Sequence, residues 1–346
     1  MDLAIMGTGT VGSSVADLAS EYGHRVTAMA NVDAAAIDPD GIDTAGALER
    51  QRSEGMAHLG DDDPDDVLAA EYDALIEVTP VTLGDAEPGF SHVEAALERD
   101  RHVVLANKGP MAERYADVRA LEAESEGEVR FEATVAGAIP VLSTIEDYGP
   151  GTMTAVRGVF NGTANFILTR MAAEGLGYEH VLAEAQDLGV AEADPAFDVE
   201  GTDAALKCVI LANVLAQGDR EFSLEDASVE GIKDIPGSAL ELAREDGRTI
   251  RLIGEVTGAD AGYVTSGADA GLLLSAAAAI AGSDVSAMDQ LPDTEGLADE
   301  IVMPRTHRTG YDHALRAAGA TIVDVGTNDF HLGTGATNVE PWEIEQ

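Results

Sequence analysis

Lysine is nearly missing from this chain. Only Lys108, Lys207 and Lys233 occur among 346 residues, against 17 arginines. If lysine has been removed from the surface, one that stays within an apolar pattern is a candidate for a specific task. Cysteine is scarcer still. Cys208 stands alone, which excludes an intrachain disulfide and fits a reducing, cytoplasmic setting. Aromatic residues supply only 4% of the chain, so the core must be aliphatic and alanine-rich. No apolar run approaches the ~18 residues of a membrane span. The N-terminus MDLAIMGTG enters a strand directly, with neither a basic segment nor a small-residue cleavage site, so no secretory leader is expected.

Positive charge is equally short. Acidic residues number 64 against 20 basic ones, for a net charge of -44. Such a surface repels nucleic acid and anionic membranes, which excludes both as expected partners. The acids are interleaved with apolar periodicity, so the chain reads as folded rather than as an acidic tail. A folded chain with this balance suits high salt, where the Debye length shrinks to about 3 Å at 1 M and like-charge repulsion is screened.

What is present begins with LAIMGTGTVGSSVADLAS. It reads as a buried strand (3–6), a glycine turn, and a helix from about Val11. Gly7, Gly9 and Gly12 match G-x-G-x-x-G. Glycines there permit a tight turn and let the backbone approach a pyrophosphate, and the helix N-terminus offers N–H donors. Placement between strand and helix is the context that gives this short pattern weight. A second strand, RVTAMANVD, should end near Asn31. Asn31 and Asp33 leave NAD against NADP open, because an acid at this point would hold a ribose hydroxyl. Arg50 and Arg52 either reach a 2′-phosphate or are solvated surface charges. DALIEVTP reads as a strand ending at Thr79–Pro80, FSHVEAALERD as a helix, and RHVVLANKGP as a strand ending at Asn107–Lys108. Ligands of open α/β sheets sit beyond the carboxyl ends of strands. That places Thr79 and Lys108 at the cofactor crevice.

Past VRFEATVAGAIPVL the pattern changes. GTMTAVRGVF and TIRLIGEVT read as strands of a second sheet, with helices at 163–173, 178–188 and 202–216 between them. Asn161, Gly162 and Thr163 sit at a helix start, where they cap the helix, meet a polar ligand, or do both. Asp203 and Lys207 are four apart and share a helix face. A lysine beside apolar walls with a carboxylate near it can exchange a proton with an alcohol or carbonyl oxygen. The same spacing also describes an ordinary surface ion pair. Glu192, upstream in the loop, could hold a substrate ammonium.

Several segments then match one family in order: GTGTVG (7–12), EVTP (77–80), ANKGP (106–110), EATVAGAIP (132–140), NGTANFIL (161–168) and LGVAEADPAFDVEGTDAALKCVILAN (188–213). Through about residue 257 the chain resembles homoserine dehydrogenase. The resemblance implies an α/β fold with a Rossmann-type dinucleotide-binding domain (1–135) and an α+β substrate and dimerisation domain (136–257). It implies NAD- or NADP-dependent interconversion of L-homoserine and L-aspartate 4-semialdehyde, in threonine and methionine biosynthesis, by a homodimer. It makes Lys207 the proton donor and acceptor, Asp203 its orienting partner, and Lys108 an assistant near the nicotinamide. Glu192 would bind the substrate amino group, with Asn161, Gly162 and Thr163 nearby. Gly7, Gly9, Thr10, Val11, Gly12, Asn31, Thr79 and Lys108 would hold the dinucleotide. It further implies a sodium or potassium ion on the backbone carbonyls of Glu132, Val135, Gly137 and Ile139.

After RLIGEVT the pattern departs, and 258–346 reads as an atypical C-terminal α/β segment. Residues 258–326 resemble a piece of selenocysteine-synthase-like pyridoxal-phosphate enzymes. YVTSGADAGLLL is similar to their phosphate turn and helix, and EIVMPRTHRTGYDHALRAAGATIVDVG to a following strand–helix–strand. No lysine follows Lys233, so this segment cannot form the Schiff base such enzymes need. The alanine-rich stretch GLLLSAAAAIAG needs burial and is expected to cover the substrate-domain sheet. Two other readings stand beside the dehydrogenase: a damaged chimera that only binds dinucleotide, and a pyridoxal-phosphate enzyme.

Overall fold

A computed structural model describes residues 1–137, 139–218, 220–257, 268–282, 284–304 and 312–325. The first half alternates strand and helix: β1 (Asp2–Met6), α1 (Thr10–Ala19), β2 (Arg25–Ala30), β3 (Ala35–Ile37), α2 (Thr44–Glu54), β4 (Ala74–Glu77), α3 (Gly89–Leu97), β5 (His102–Leu105), α4 (Gly109–Glu113), α5 (Tyr115–Glu124) and β6 (Val129–Arg130). There follow α6 (Glu132–Val135), α7 (Val141–Tyr148), β7 (Ala155–Gly158), α8 (Gly162–Glu174), α9 (Tyr178–Asp187), α10 (Ala196–Val199), α11 (Thr202–Ala216), α12 (Gly237–Glu245) and β8 (Gly254–Thr257). The last elements are α13 (Ala268–Ala281), α14 (Val285–Gln290), β9 (Glu300–Pro304), α15 (Asp312–Ala317) and β10 (Thr321–Val325).

The chain divides into two compact units. The first comprises 1–169, 178–235 and 252–260. It holds a six-stranded sheet in the order β3-β2-β1-β4-β5-β6, parallel except for the edge strand β3. The reversal of strand order about β1 is the doubly wound arrangement that opens a crevice at the carboxyl ends. Alternation along β1 sends Leu3 and Ile5 into one apolar cluster, with Val26, Met29, Ala16 and Leu48. Ala4 and Met6 enter the other, with Leu75, Val93, Val103 and Leu206. A strand has period two, so one strand feeds two cores. β7 and β8 pair antiparallel in a separate two-stranded sheet, as their sequence pattern predicts.

The second unit comprises 170–177, 236–251 and 261–346. Its β9 and β10 are parallel neighbours, with α15 between them in the chain. Leu273, Ala276 and Ile280 of α13 cluster with Ile301, Met303, Leu315 and Ile322. The alanine-rich helix thus packs against α15 and this small sheet within its own unit. The sequence shows that the helix needs apolar cover but not which surface supplies it. The glycine turn of YVTSGADAGLLL and the residues past 325 lie outside the described set. One further expectation needs adjustment. β5 ends at Leu105, two residues before Asn107, because the Asn107 side chain takes over as a turn acceptor for Gly109 N–H at 2.9 Å. The short antiparallel β3 carries no signal that sets it apart from a loop.

Candidate active site

The glycine turn follows β1 directly. Gly7 has φ +107°, and a Cβ there would stand 2.7 Å from the Val78 carbonyl oxygen. At Gly12 a Cβ would lie 1.8 Å from the Gly7 oxygen, so only glycine lets α1 pack this close. Above Gly9 there is open space, and Gly9, Thr10 and Val11 are exposed. The first turn of α1 has no side-chain cap and no acid. Unpaired N–H groups, a positive helix end and room for a ligand fit a pyrophosphate. The residues present therefore suit a dinucleotide.

Asn31 is buried with its amide fully occupied. Nδ2 donates to Gln51 Oε1 and to the Met56 oxygen, both at 2.9 Å. Oδ1 accepts from the N–H groups of Asp33 and Ala34. Asn31 thus shapes the crevice wall and leaves no donor of its own for a ribose. Gln51 was not singled out by the sequence. It accepts from Thr8 Oγ1 at 2.5 Å and donates to the Thr8 oxygen at 3.2 Å, tying α2 to the glycine turn. Arg50 donates to the Leu59 oxygen, and Arg52 pairs with Glu49 on the surface.

The chemistry gathers at the start of α11. Asp203 and Lys207 do share a face: Lys207 Nζ stands 2.7 Å from Asp203 Oδ2 and 2.5 Å from the Phe160 oxygen. Lys108, at the end of the β5 loop, reaches the other carboxylate oxygen at 3.2 Å. Asn161 Nδ2 donates to Asp203 Oδ2 at 3.0 Å and to Asp198 Oδ1 at 2.7 Å, while its Oδ1 caps α8 by accepting from Ala164 N–H at 2.7 Å. The cap and the polar role are both filled by one amide. Burial pushes the Asp203 carboxyl up, but Lys207, Lys108 and the hydrogen bonds from Lys207 and Asn161 outweigh it and hold it below the usual carboxylate range. The first turn of α11 adds a favourable dipole. An ionised aspartate is thus clamped between two lysines, which are in turn held by it.

Thr163 Oγ1 donates to the Val190 oxygen, and Gly162 faces open space. Glu192 is exposed, and its backbone oxygen accepts from Gln186 Nε2 at 3.1 Å. In the turn after β6, Glu132 and Val135 lie in α6, Gly137 has φ +60°, and Ile139 is exposed. The carbonyls of Glu132 and Ile139 each accept one N–H, from Ala136 and Val141. A carbonyl has a second lone pair, so these bonds leave room for a cation. The Glu132 carboxylate is used otherwise: it accepts from the Leu142 and Ser143 N–H groups at 2.8 and 2.9 Å.

The homoserine dehydrogenase family model matches residues 140–310, past the point where the sequence pattern departs at 257. The model of glutamate/leucine/phenylalanine/valine dehydrogenases matches 1–76. The chain is 37% identical to a homoserine dehydrogenase of Methanocaldococcus jannaschii, over 74% of this chain and 80% of that one. It is 34% identical to an NAD(+)-dependent homoserine dehydrogenase of Pseudomonas canavaninivorans, over 78% and 81%. A solved structure assigned as a homoserine dehydrogenase of Archaeoglobus fulgidus superposes with TM-score 0.67 at 40% identity, over 75% and 81%. Across eight curated relatives, the chain spans from 55% to 81% of their length.

Proposed function

The chain belongs to the homoserine dehydrogenase family, and we propose from this premise that it interconverts L-homoserine and L-aspartate 4-semialdehyde with NAD or NADP. The observation that carries the reading is the Lys108–Asp203–Lys207 cluster. A bound dinucleotide supplies the hydride acceptor or donor at its nicotinamide. An ammonium has three N–H groups. Lys207 directs one to Asp203 and one to the Phe160 oxygen, which leaves the third for the substrate oxygen. In reduction the Lys207 ammonium gives that third proton to the substrate oxygen as hydride reaches the carbon, and in oxidation Lys207, entering as the neutral amine, takes the hydroxyl proton as hydride leaves. Asp203 stays ionised and keeps both lysines aimed. Lys108 completes the charge around the same oxygen.

Gly7, Gly9, Thr10, Val11, Gly12 and Thr79 hold the dinucleotide in this reading, with Asn31 supporting the wall. Asn161 holds Asp203, so contact with substrate falls to Gly162 and Thr163 at the start of α8. Glu192 receives the substrate ammonium, consistent with an exposed carboxylate in the loop that leads to α11. A sodium or potassium ion on the carbonyls of Glu132, Val135, Gly137 and Ile139 would brace the turn after β6. We assign 1–135 to dinucleotide binding, 136–257 to substrate and dimer contacts, and 258–346 to a C-terminal segment that the homoserine dehydrogenase model still covers to residue 310. The charge balance supports an enzyme of salt-rich cells, and the family membership supports a place in amino-acid biosynthesis, which we assign to threonine and methionine synthesis in the cytoplasm. Among the described residues no helix is long and apolar enough to cross a membrane.

The test is oxidation of L-homoserine with NADP and with NAD in multimolar KCl. Lys207→Ala should lose about 10²- to 10⁴-fold in kcat, the usual contribution of a positioned proton-transfer group, while its dinucleotide titration stays as in the wild type. Wild-type protein that binds dinucleotide but never turns over homoserine would overturn the proposal and leave the damaged chimera.

A further inference from the structure

A second buried ionisable pair lies outside the lysine cluster. Glu77, the last residue of β4, is fully buried, and its Oε2 stands 2.7 Å from His92 Nδ1 on α3. In register, Glu77 lies beside Met6, which precedes the glycine turn, and Leu105, which precedes the Lys108 loop. Its Oε1 accepts from Thr79 N–H at 3.1 Å, from Thr79 Oγ1, and from Asn107 Nδ2 at 3.3 Å. Asn107 in turn accepts from Gly109 N–H at 2.9 Å and donates to Thr79 Oγ1 at 3.1 Å. A Cβ on Gly89 would stand 2.5 Å from Asn107 Nδ2, so α3 packs tightly on this amide.

A core position at the end of a central parallel strand is ordinarily apolar. Burying a carboxylate there is costly unless every lone pair is met. Three donors from the two strand-end loops converge on Glu77 Oε1, and His92 Nδ1 faces Oε2. We propose that Glu77, held by His92, is a positioning residue: it sets Thr79 against the dinucleotide and, through Asn107, sets Lys108 against Asp203. Resting on the dehydrogenase reading, this adds a residue to it that touches neither substrate nor cofactor. One carboxylate thereby ties the loop after β4 to the loop after β5, and its own orientation is fixed from α3.

Glu77→Gln keeps the shape and the Oε1 acceptor but turns an N–H toward His92 Nδ1. The expected result is a folded protein whose kcat falls about 10- to 100-fold, the scale of a sub-ångström to 1 Å misplacement, with a raised KM for dinucleotide. Amide exchange at Thr79 and Gly109, followed without substrate, should accelerate. His92→Asn, which retains a donor near the Nδ1 position, should stay within a few-fold of wild type, whereas His92→Leu should behave like Glu77→Gln. Wild-type kcat, KM and exchange in Glu77→Gln overturn the proposal, as does a lowered melting temperature with kcat per folded molecule unchanged. Should Glu77→Gln fail to fold, equal kcat in the two His92 variants overturns it. If wild-type protein proves inactive on homoserine, the dehydrogenase reading fails alone, and the exchange and dinucleotide titrations still decide this one.

Discussion

Asp203 carries more contacts than its four-residue spacing to Lys207 announces. Spacing alone fits a surface pair worth a few tenths of a kcal/mol. Burial, Asn161 and Lys108 turn it into the hub of a polar cluster. Its depressed pKa has a definite sign for stability. The ionised form is favoured by the fold, so its contribution is fully present above the unfolded carboxyl value of about 4 and is lost as pH falls through the lower folded value. Asp203→Asn should therefore cost about 2 kcal/mol near neutral pH, with the gap to wild type closing below about pH 4. Thermal melts across that range check it, and a gap that widens in acid would refute it. Cys208 offers a second residue-scale expectation. Burial pushes its thiol up to about 11, so it should react with maleimide at pH 8 only after unfolding. Prompt labelling of native protein would contradict this.

The unit of strand, glycine turn and helix shows which elements local sequence controls. Three glycines at set intervals were readable because each answers a steric demand: φ at Gly7, close approach at Gly12, and open space over Gly9. Gly12→Ala should abolish dinucleotide binding, since the methyl would sit inside the contact distance of the Gly7 oxygen. A binding titration by nicotinamide fluorescence reads this directly, and wild-type affinity would mean that the turn is not the phosphate cradle. Helix α11 was equally legible, starting after Gly201 and running through Ala216 as its apolar pattern predicts. The end of β5 was not. Asn107 looks like a strand residue until its side chain is seen to close the turn.

At the scale of the whole molecule, charge decides behaviour. A net charge of -44 repels itself across the surface, and raising salt from roughly 0.1 to 1 M cuts the screening length from about 10 to 3 Å. The melting temperature should rise steeply over that interval and continue upward in KCl. Circular dichroism melts test this, and a flat or falling series would show that the acids are not a salt adaptation. The second unit is assembled from three separated stretches of chain. Its strand–helix–strand was readable in the sequence, but the surface that covers α13 was not, since apolar periodicity reports a need for burial without naming the neighbour.

The sequence by itself determined the glycine turn, the doubly wound half and the placing of Asp203 and Lys207 on one helix face. Each of these rests on local constraints: glycine sterics, strand and helix periods, and residue types that are rare in this chain. Tertiary structure alone decided that Lys108 joins the pair from about a hundred residues away, that Asn31 is consumed by Gln51 and Met56, and that Glu77 links two loops. The last depends on parallel strand register, which brings the ends of β1, β4 and β5 side by side, and the other two on how α11 and α2 pack, and no local pattern encodes either.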